Sequence, residues 1–310
     1  MGAHIQKIKY KSFTWIDIVH PDDAAILDLA KKYKFHELDL EDILSETQRS
    51  KIDDYDKYLF MVLHFPYWDN RSRSIQVAEL NLFLSTSFLI TLHDGELKIL
   101  KKFVKRYSES AKLRREVMSK GMGFLLYEIL DGLFDEHFPM IDQMEKRMDT
   151  LERDVFSLKV GQKDMLRDIL GLKKDLITFE RTIGPLRAVI PQLEYKNDKF
   201  IPEGLEVYFD DIVDKVEKIW ATLSNQREVV TLLQDTNEAV ISHTTNNVIK
   251  ILTVFSVIML PITFITGFFG MNVQFPANIG LHDLSYIWVS AGMLGVVVLM
   301  LLFFKLKKWI

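Results

Sequence analysis

Cysteine is absent from all 310 residues, which excludes disulfides, thiolate zinc sites, iron–sulfur clusters and a cysteine nucleophile. The net charge of −4 provides no basic excess, so we expect no nucleic acid partner. The sequence also lacks a P-loop and a GxGxxG motif, and its histidines are scattered. We interpret His137 as a surface residue because no second histidine lies three or four positions away. These patterns do not predict an enzyme.

Charge is also absent from two C-terminal stretches, residues 251–269 and 284–304. Their lengths of 19 and 21 residues match the ~20 residues that a helix needs to cross a bilayer core. All but one of the 43 acidic residues precede Val248, so a charged, water-soluble part is followed by two apolar segments. A buried hairpin of a soluble protein is the alternative, but such hairpins rarely lack charge on every face. We therefore predict two membrane spans.

The lysines around these segments predict the orientation of the spans. Lys250 precedes the first span, and the second span is followed by Lys305, Lys307 and Lys308. The connection 270–283 contains neither Lys nor Arg. Because an excess of Lys and Arg stays on the cytoplasmic side, we expect both termini in the cytoplasm and the short loop outside. The prediction is a multi-pass protein of the cell membrane.

Residues 1–95 are typical of a mixed α/β domain. Alternation predicts a strand over Ile5–Ile18, and the segments PDDAAILDLAKKY and HELDLEDILSE predict two helices. Three further segments, rich in β-branched and aromatic residues, predict strands of the same sheet: KYLFMVLHF, ELNLFLS and SFLITLHD. Residues 96–204 are predicted to be helical, with one helix over Tyr107–Leu158 and a second over Lys163–Leu193.

From Leu205 no proline occurs until Pro261, so we predict one helix over residues 205–269, roughly 100 Å long. Apolar residues recur along it with heptad-like spacing at Ile212, Val216, Ile219, Leu223, Val230, Leu233 and Val240. Polar residues interrupt the stripe at Gln226, Asn237 and Thr244. A seam that becomes polar before a membrane suits helices that diverge or surround water. Packing of the helix on its own domain explains the same pattern equally well.

The first span ends in PITFITGFFGMN, which places Gly270-Met271-Asn272 at its outer end. The N-terminal part contains WIDI at 15–18 and LEDIL at 40–44, and the long helix begins with YFDDIVD at 208–214. Together with the lysine-rich end KLKKWI, these motifs resemble the CorA family of magnesium channels over nearly the whole chain. Zinc carriers of the same superfamily usually have Ile or Val at the position of Met271, so the sequence favours magnesium.

The resemblance implies an α+β membrane protein that assembles as a homopentameric funnel. Its parts would be the sheet of a cytoplasmic α/β domain at 1–95, cytoplasmic helices at 96–204, a stalk helix continuing into the first span at 205–269 (span about 249–269), an outer loop at 270–283, the second span at 284–304 and a basic cytoplasmic end at 305–310. The family carries Mg²⁺ inward, and often Co²⁺ or Ni²⁺, driven by the membrane potential. Cytoplasmic Mg²⁺ bound between subunits closes its pore.

The resemblance also assigns residues to these roles. The selectivity filter would be Gly270, Met271 and Asn272, where neutral Asn oxygens accept hydrogen bonds from the ion's water shell. The pore would be lined by Thr263, Leu260, Leu252, Ile249 and Asp235, and counting back from Asn272 along the same helical face adds Ser256. The regulatory metal would be held between subunits by Asp42 and Asp211, with Glu41 beside Asp42 and Asp131 as a further ligand.

Two other functions remain open from the sequence. A zinc transporter of the same superfamily shares most of these features. A membrane-anchored coiled coil with a structural or signalling role belongs to a different class, and it would need neither Gly-Met-Asn at the end of the span nor a polar stripe along a pore.

Overall fold

The computed structural model describes residues 2–45, 49–157, 162–195, 199–202, 204–271 and 285–309. The chain divides into two compact units, Met1–Gln234 and Asp235–Ile310, which we call unit 1 and unit 2. Unit 1 has an α/β architecture, one long helix passes through both units, and unit 2 contains the two apolar helices. The predicted α+β fold class is confirmed.

A six-stranded sheet forms the centre of unit 1. Its strands are β1 (His4–Tyr10), β2 (Phe13–Val19), β3 (Lys51–Tyr55), β4 (Tyr58–Asp69), β5 (Ser74–Leu84) and β6 (Phe88–His93). They lie in the order β1-β2-β6-β5-β4-β3, with β2 and β6 parallel and the other neighbours antiparallel. Residues 58–63 of β4 are all buried because both faces of the sheet are covered. This explains the continuous apolar run in place of alternation.

The single strand predicted over Ile5–Ile18 is wrong. The chain turns at Lys11, which has a φ of 51°, and Tyr10 pairs with Phe13 across a two-residue turn. Neither turn residue is Gly, Asn or Asp, so the usual hairpin signal was missing. Strand β3 was not predicted at all, because its sequence KIDDY carries charges at three of five positions.

Two short helices, α1 (Asp23–Tyr33) and α2 (Glu37–Leu44), connect β2 to β3. Helix α1 begins where the Asp22 carboxylate accepts a hydrogen bond from the Ala25 amide at 2.9 Å. It ends at Lys34, whose left-handed φ of 57° turns the chain into α2. Phe35, between the two helices, stacks on Phe83 of the sheet with ring centroids 3.8 Å apart. This contact fixes α2, which carries Glu41 and Asp42, beside the sheet.

Six helices follow the sheet: α3 (Lys98–Glu109), α4 (Ala111–Met118), α5 (Met122–Asp135), α6 (His137–Ser157), α7 (Gln162–Val189) and α8 (Pro191–Tyr195). The single helix predicted over Tyr107–Leu158 is therefore wrong. Ser110 leaves helical geometry and caps α4 through its hydroxyl, and Gly121 adopts a φ of 101° before α5. Pro139 lies in the first turn of α6, where its missing amide hydrogen costs nothing.

His137 is buried, contrary to its interpretation as a surface residue. Its ring lies 6.0 Å from Phe65, nearly parallel to it, and contacts Phe134 and Phe179 at 5.8 and 5.5 Å. Only 2% of the residue is exposed. Burial lowers the pKa of His137 to about 4, so the ring is neutral at pH 7.

The long helix α9 extends over Glu206–Phe269, 64 residues, and confirms the prediction of one helix over residues 205–269. Within unit 1 its apolar stripe is buried by the same chain, at Ile212, Val216, Ile219, Leu223, Val230 and Leu233. Ion pairs to α7 flank the stripe: Arg227 contacts Glu180 at 3.0 Å, and Arg187 contacts Glu217 at 2.8 Å. Of the two interpretations of this stripe, packing on the helix's own domain is therefore correct for these residues. They provide no free coiled-coil seam.

The second apolar helix, α10, comprises Ser285–Leu306, 22 residues. Lys250 of α9 donates a hydrogen bond to the carbonyl of Lys308, just after α10, at 3.1 Å. Among the described residues of unit 2, the buried apolar side chains are Val254 of α9 and Phe304 of α10. Within unit 2, α9 therefore faces α10 with the side that carries Lys250 and Val254.

Candidate functional site

Unit 2 contains two helices that are long and apolar enough to cross a membrane, the C-terminal part of α9 and the described part of α10, residues 287–306. Only 6% of the most apolar 18-residue window of each helix is buried in the chain. In a buried core helix of a soluble protein, by contrast, most of the apolar residues are covered by the rest of the chain. The large uncovered apolar surface suits contact with lipid or with further subunits.

The predicted pore residues share one side of α9. Positions 252, 256 and 263 lie on the side of the helix roughly opposite Val254, because an α-helix has about 3.6 residues per turn. Leu260 and Ile249 lie on the edge of the same side, and 72% and 54% of these residues are exposed. The structure therefore groups five of the six predicted pore positions on the helix face that α10 does not cover.

The two hydroxyl residues of this face have a defined orientation. Ser256 donates its hydroxyl hydrogen to the carbonyl of Leu252 at 2.8 Å, and Thr263 donates to the carbonyl of Met259 at 2.9 Å. Since each hydroxyl hydrogen is used inside the helix, the remaining oxygen lone pairs can only accept. Such oxygens can accept hydrogen bonds from the water shell of a cation.

The helix ends at the predicted filter motif. The Gly270 amide donates to the carbonyl of Thr266 at 2.9 Å, and the Met271 amide donates to the carbonyl of Phe268 at 3.4 Å. A Cβ atom on Gly270 would lie 2.9 Å from the Thr266 oxygen, so a larger residue here would disturb the last turn. Asn272 and the loop that follows it lie outside the described residues.

Asp235, the sixth predicted pore residue, lies on α9 at the first position of unit 2 and is exposed. It is about 17 residues N-terminal to Leu252, or roughly 25 Å along the helix axis. It is offset from the centre of the pore face by a fraction of a turn. Its position is compatible with a carboxylate at one end of a pore.

The predicted regulatory acid Asp42 lies in a group that the sequence did not reveal. Oxygens of Asp39, Asp42 and Asp53 all lie within 4.8 Å of one another. The Lys51 ammonium is bound between them, 2.5 Å from Asp42 and 2.7 Å from Asp53. Burial favours a lower pKa for Lys51, but its hydrogen bonds to these two carboxylates outweigh burial and raise it.

Asp39 is fully buried and accepts hydrogen bonds from the hydroxyls of Tyr55 and Tyr58, each at 2.7 Å. Burial raises the pKa of Asp39, although the tyrosine hydrogen bonds act in the opposite direction. The spacing of Asp39 and Asp42, one helical turn apart, was the signal in the sequence that could have linked them. Glu41 points to solvent on the same helix and is exposed.

The other two predicted acids meet at a second lysine. Asp131 of α5 lies 2.5 Å from the Lys215 ammonium of α9, and Asp211 lies 3.7 Å from it. Asp135, one turn after Asp131, contacts the same ammonium at 2.8 Å. We call these four residues the Lys215 cluster. Sequence reasoning missed Lys215 and Asp135, because Lys215 and Asp131 are 84 positions apart.

A Mg²⁺ ion would need carboxylate oxygens at about 2.0–2.1 Å in a near-octahedral arrangement. Among the described residues, only the group of Asp39, Asp42 and Asp53 brings three possible ligands within reach of one ion. Glu41, Asp131 and Asp211 do not form such a group within one chain. Three of the predicted regulatory acids, Asp42, Asp131 and Asp211, therefore lie beside lysines, and a metal shared between them would require a second subunit and would compete with these ammonium groups.

Comparison with known proteins agrees with this architecture. The complete structure of the CorA magnesium transporter from Methanocaldococcus jannaschii has the same fold, with a TM-score of 0.84, 23% identity, and coverage of 100% of this chain and 99% of that one. The cytoplasmic domain of ZntB from Vibrio parahaemolyticus shares the fold of the soluble part, with a TM-score of 0.62 and 14% identity over 77% of this chain and 98% of that one.

The sequence comparisons extend over the same range. The cobalt/magnesium transport protein CorA of Thermotoga maritima is 30% identical over 303 residues, which cover 96% of this chain and 83% of that protein. The family model described as CorA-like Mg²⁺ transporter protein matches residues 10–308. Because this match includes five of the six strands of the sheet, the long helix and both apolar helices, the chain belongs to the CorA-like Mg²⁺ transporter family.

Proposed function

We propose that this chain is one subunit of a homopentameric channel that carries Mg²⁺ into the cell, with Co²⁺ and Ni²⁺ as alternative substrates. The observation that carries the proposal is the exposed face of α9 opposite α10, along which the apolar residues Leu252 and Leu260 alternate with the hydroxyl residues Ser256 and Thr263. Five such faces around an axis would enclose a narrow path with hydroxyl oxygens. Family membership supports the assignment, since the relative from Thermotoga maritima bears the name of a cobalt/magnesium transport protein.

The filter of this channel is the ring of five Asn272 side chains at the end of the first span. Mg²⁺ holds its water shell tightly, so a filter of neutral amide oxygens can accept hydrogen bonds from the shell without removing it. Carboxylates would hold the ion too strongly for release, and conduction requires weak binding. Gly270 permits the close approach of the backbone that such a ring needs.

Farther along the face, Leu252 and Ile249 form an apolar collar that can lose its water and stop conduction. Leu260 narrows the path nearer the filter, and Asp235 attracts cations at the cytoplasmic mouth. Both termini lie in the cytoplasm, because the lysines at 250, 305, 307 and 308 flank the spans on one side.

The membrane potential supplies the driving force for this transport. One charge moving through 100 mV gains about 2.3 kcal/mol, so a divalent ion gains roughly 4.6 kcal/mol. This energy favours accumulation of Mg²⁺ inside without chemical fuel, which agrees with the absence of a P-loop.

Regulation uses acids of unit 1. Glu41 and Asp42 of one subunit face Asp211 of the next, with Asp131 nearby, and cytoplasmic Mg²⁺ between them stabilises the closed assembly. Facing carboxylates repel each other unless a cation lies between them, so the metal favours the arrangement that brings them together.

The test is ion uptake into liposomes that contain the purified protein, with a potential negative inside. We expect uptake of Mg²⁺ and Co²⁺ that increases with the potential and is inhibited by Mg²⁺ inside the vesicles. Uptake of Zn²⁺ in preference to Mg²⁺ would identify a zinc transporter instead. No flux of any divalent ion would refute the channel and leave a structural role.

A further inference from the structure

The Lys215 cluster joins two helices through one ammonium group. Asp131 and Asp135 lie four positions apart on α5, and Asp211 and Lys215 lie four positions apart on α9, so each pair occupies one helix face. Aromatic contacts hold the two helices together nearby, with the rings of Tyr127 and Tyr208 4.9 Å apart. The Lys215 side chain is 21% exposed, so its charge is partly shielded from water.

In this cluster the Lys215 ammonium takes the place that a bound cation would have among the three carboxylates. An ammonium group has three N–H donors, and three carboxylates surround Lys215 at 2.5, 2.8 and 3.7 Å. Burial favours a lower pKa for Lys215, but its hydrogen bonds to Asp131 and Asp135 outweigh burial and raise it. The lysine therefore keeps its charge at any physiological pH.

Two of these three acids are ones that the proposed regulation assigns to Mg²⁺. A Mg²⁺ ion bound at about 2 Å to the Asp131 oxygen that holds the Lys215 ammonium, or to the Asp211 oxygen 3.7 Å from it, would be repelled by that ammonium, so the two cations compete for the same carboxylates. Asp42, the acid proposed on the opposite side of the subunit boundary, is bound in the same way by Lys51 at 2.5 Å. On each side of the proposed metal site, a lysine of the same chain thus already contacts the acids that would bind the metal.

We propose that Lys215 is a built-in competitor of regulatory Mg²⁺. At low Mg²⁺ the ammonium compensates the three carboxylates and keeps α5 and α9 together. As Mg²⁺ rises, the metal must displace the ammonium, so Lys215 increases the Mg²⁺ concentration at which the closed assembly forms. This inference rests on the proposed regulation at Asp211, and it assigns to this chain a residue that sets its Mg²⁺ sensitivity.

The test measures Mg²⁺ binding without transport. Purified full-length protein is titrated with Mg²⁺, and protection of unit 1 from the protease Glu-C is followed, because Glu-C cleaves at neither lysine nor methionine. The variants are Lys215→Met, which removes the charge, and Lys215→Arg, which keeps it. The matched control is Lys102→Met, because Lys102 forms an ion pair with a single acid, Glu136, at 2.8 Å.

We expect half-maximal protection of Lys215→Met at a Mg²⁺ concentration lower by about tenfold, a typical size for coupling between sites. Lys215→Arg and Lys102→Met should remain near the wild-type concentration. In EDTA, Lys215→Met should unfold at a lower temperature than the wild type, and Mg²⁺ should restore it, because the three carboxylates then lack a cation. If Lys215→Met is not recovered folded, Lys215→Gln replaces it, since its amide still donates hydrogen bonds.

The outcomes separate this inference from the regulation on which it rests. Wild-type protection by Mg²⁺ with an unchanged or higher Mg²⁺ requirement in Lys215→Met would overturn the competitor role and leave the regulation intact. If Mg²⁺ protects neither the wild type nor the variant, both proposals are refuted. An equal decrease in Lys102→Met would also overturn it, since the effect would then come from net charge alone.

Discussion

Units 1 and 2 share one helix, α9, yet treat its side chains in opposite ways. In unit 1 the apolar stripe of α9, which includes Ile212 and Leu223, is buried by the same chain. In unit 2 apolar positions of the same helix, such as Leu252 and Phe255, are each 62% exposed. The apolar stripe of α9 in unit 1 is therefore stabilised by packing within the chain, whereas the apolar side chains of α9 in unit 2 remain exposed. The exposed apolar surface of unit 2 suits an apolar environment such as lipid, so the two units should respond differently to mutation.

The largest expected effect is in unit 2, at the proposed filter. Asn272→Ala should abolish Mg²⁺ uptake into liposomes while the oligomer stays assembled, because the variant removes the acceptors of the filter. The matched control is Asn247→Ala, which loses an exposed amide on the side of α9 away from the pore face. Wild-type uptake by Asn272→Ala would remove the filter role.

The next effect concerns the acids of unit 1. Asp42→Asn combined with Asp211→Asn should still conduct, yet lose much of its inhibition by internal Mg²⁺, because the variant cannot use the charge of either carboxylate. Protection of unit 1 from protease by Mg²⁺ should decrease in parallel. Asp54→Asn with Asp210→Asn makes the same charge change at exposed neighbours. An unchanged Mg²⁺ dose–response in the first double variant would show that these carboxylates do not bind the regulatory metal.

A stability effect without a transport effect is expected at Asp175. This buried carboxylate accepts a hydrogen bond from the Ile75 amide at 3.1 Å and from Arg147 at 2.9 Å, and so connects α7 to the sheet and to α6. Asp175→Ala should lower the free energy of unfolding of unit 1 by about 3 kcal/mol, since it leaves a buried donor and a partly buried cation unpaired. Asp168→Ala, on an exposed position of α7, should change it by less than about 0.5 kcal/mol. Equal thermal unfolding of the two variants would contradict this account.

The smallest effect depends on pH. The pKa of His137 is lowered to about 4 in the folded protein, from 6.5 when unfolded, so the unfolded state binds the extra proton first. The contribution of the neutral His137 to the free energy of unfolding is fully present above pH 6.5, and it is lost as the pH decreases toward 4. At pH 5 the loss is about 2 kcal/mol. The variant His137→Phe suits the surrounding aromatic rings and cannot bind the proton. Its unfolding temperature should therefore decrease less than that of the wild type between pH 7 and pH 5. A wild-type pH dependence in the variant would mean that His137 does not titrate in this range.

The sequence predicted the features that depend on local pattern. The two apolar helices, the long helix and the α/β class follow from charge-free runs, spacing and turn residues, and the grouping of residues 252, 256 and 263 follows from helical periodicity. Asn272, the last residue of the Gly-Met-Asn motif, lies outside the described residues, so its role in the filter stays a prediction.

The features that the sequence did not predict depend on contacts between distant segments. Lys215 reaches Asp131 across 84 positions, and no periodicity connects a helix of the stalk to one that follows the sheet. His137 is buried because Phe65 and Phe179 converge on it from β4 and α7. The turn at Lys11 was missed because a lysine with positive φ carries no turn signal.

The proposed channel function depends most on one claim, that the uncovered face of α9 lines a water-filled ion path. The absence of native cysteine permits a direct test, because single cysteines can be introduced at Ser256, at Thr263 and, on the α10 side, at Ile258. A charged, membrane-impermeant thiol reagent is added during Mg²⁺ uptake into liposomes. The account predicts that the reagent blocks uptake through Ser256→Cys and Thr263→Cys but leaves Ile258→Cys unaffected. Block through Ile258→Cys alone, or no block at positions 256 and 263, would contradict it.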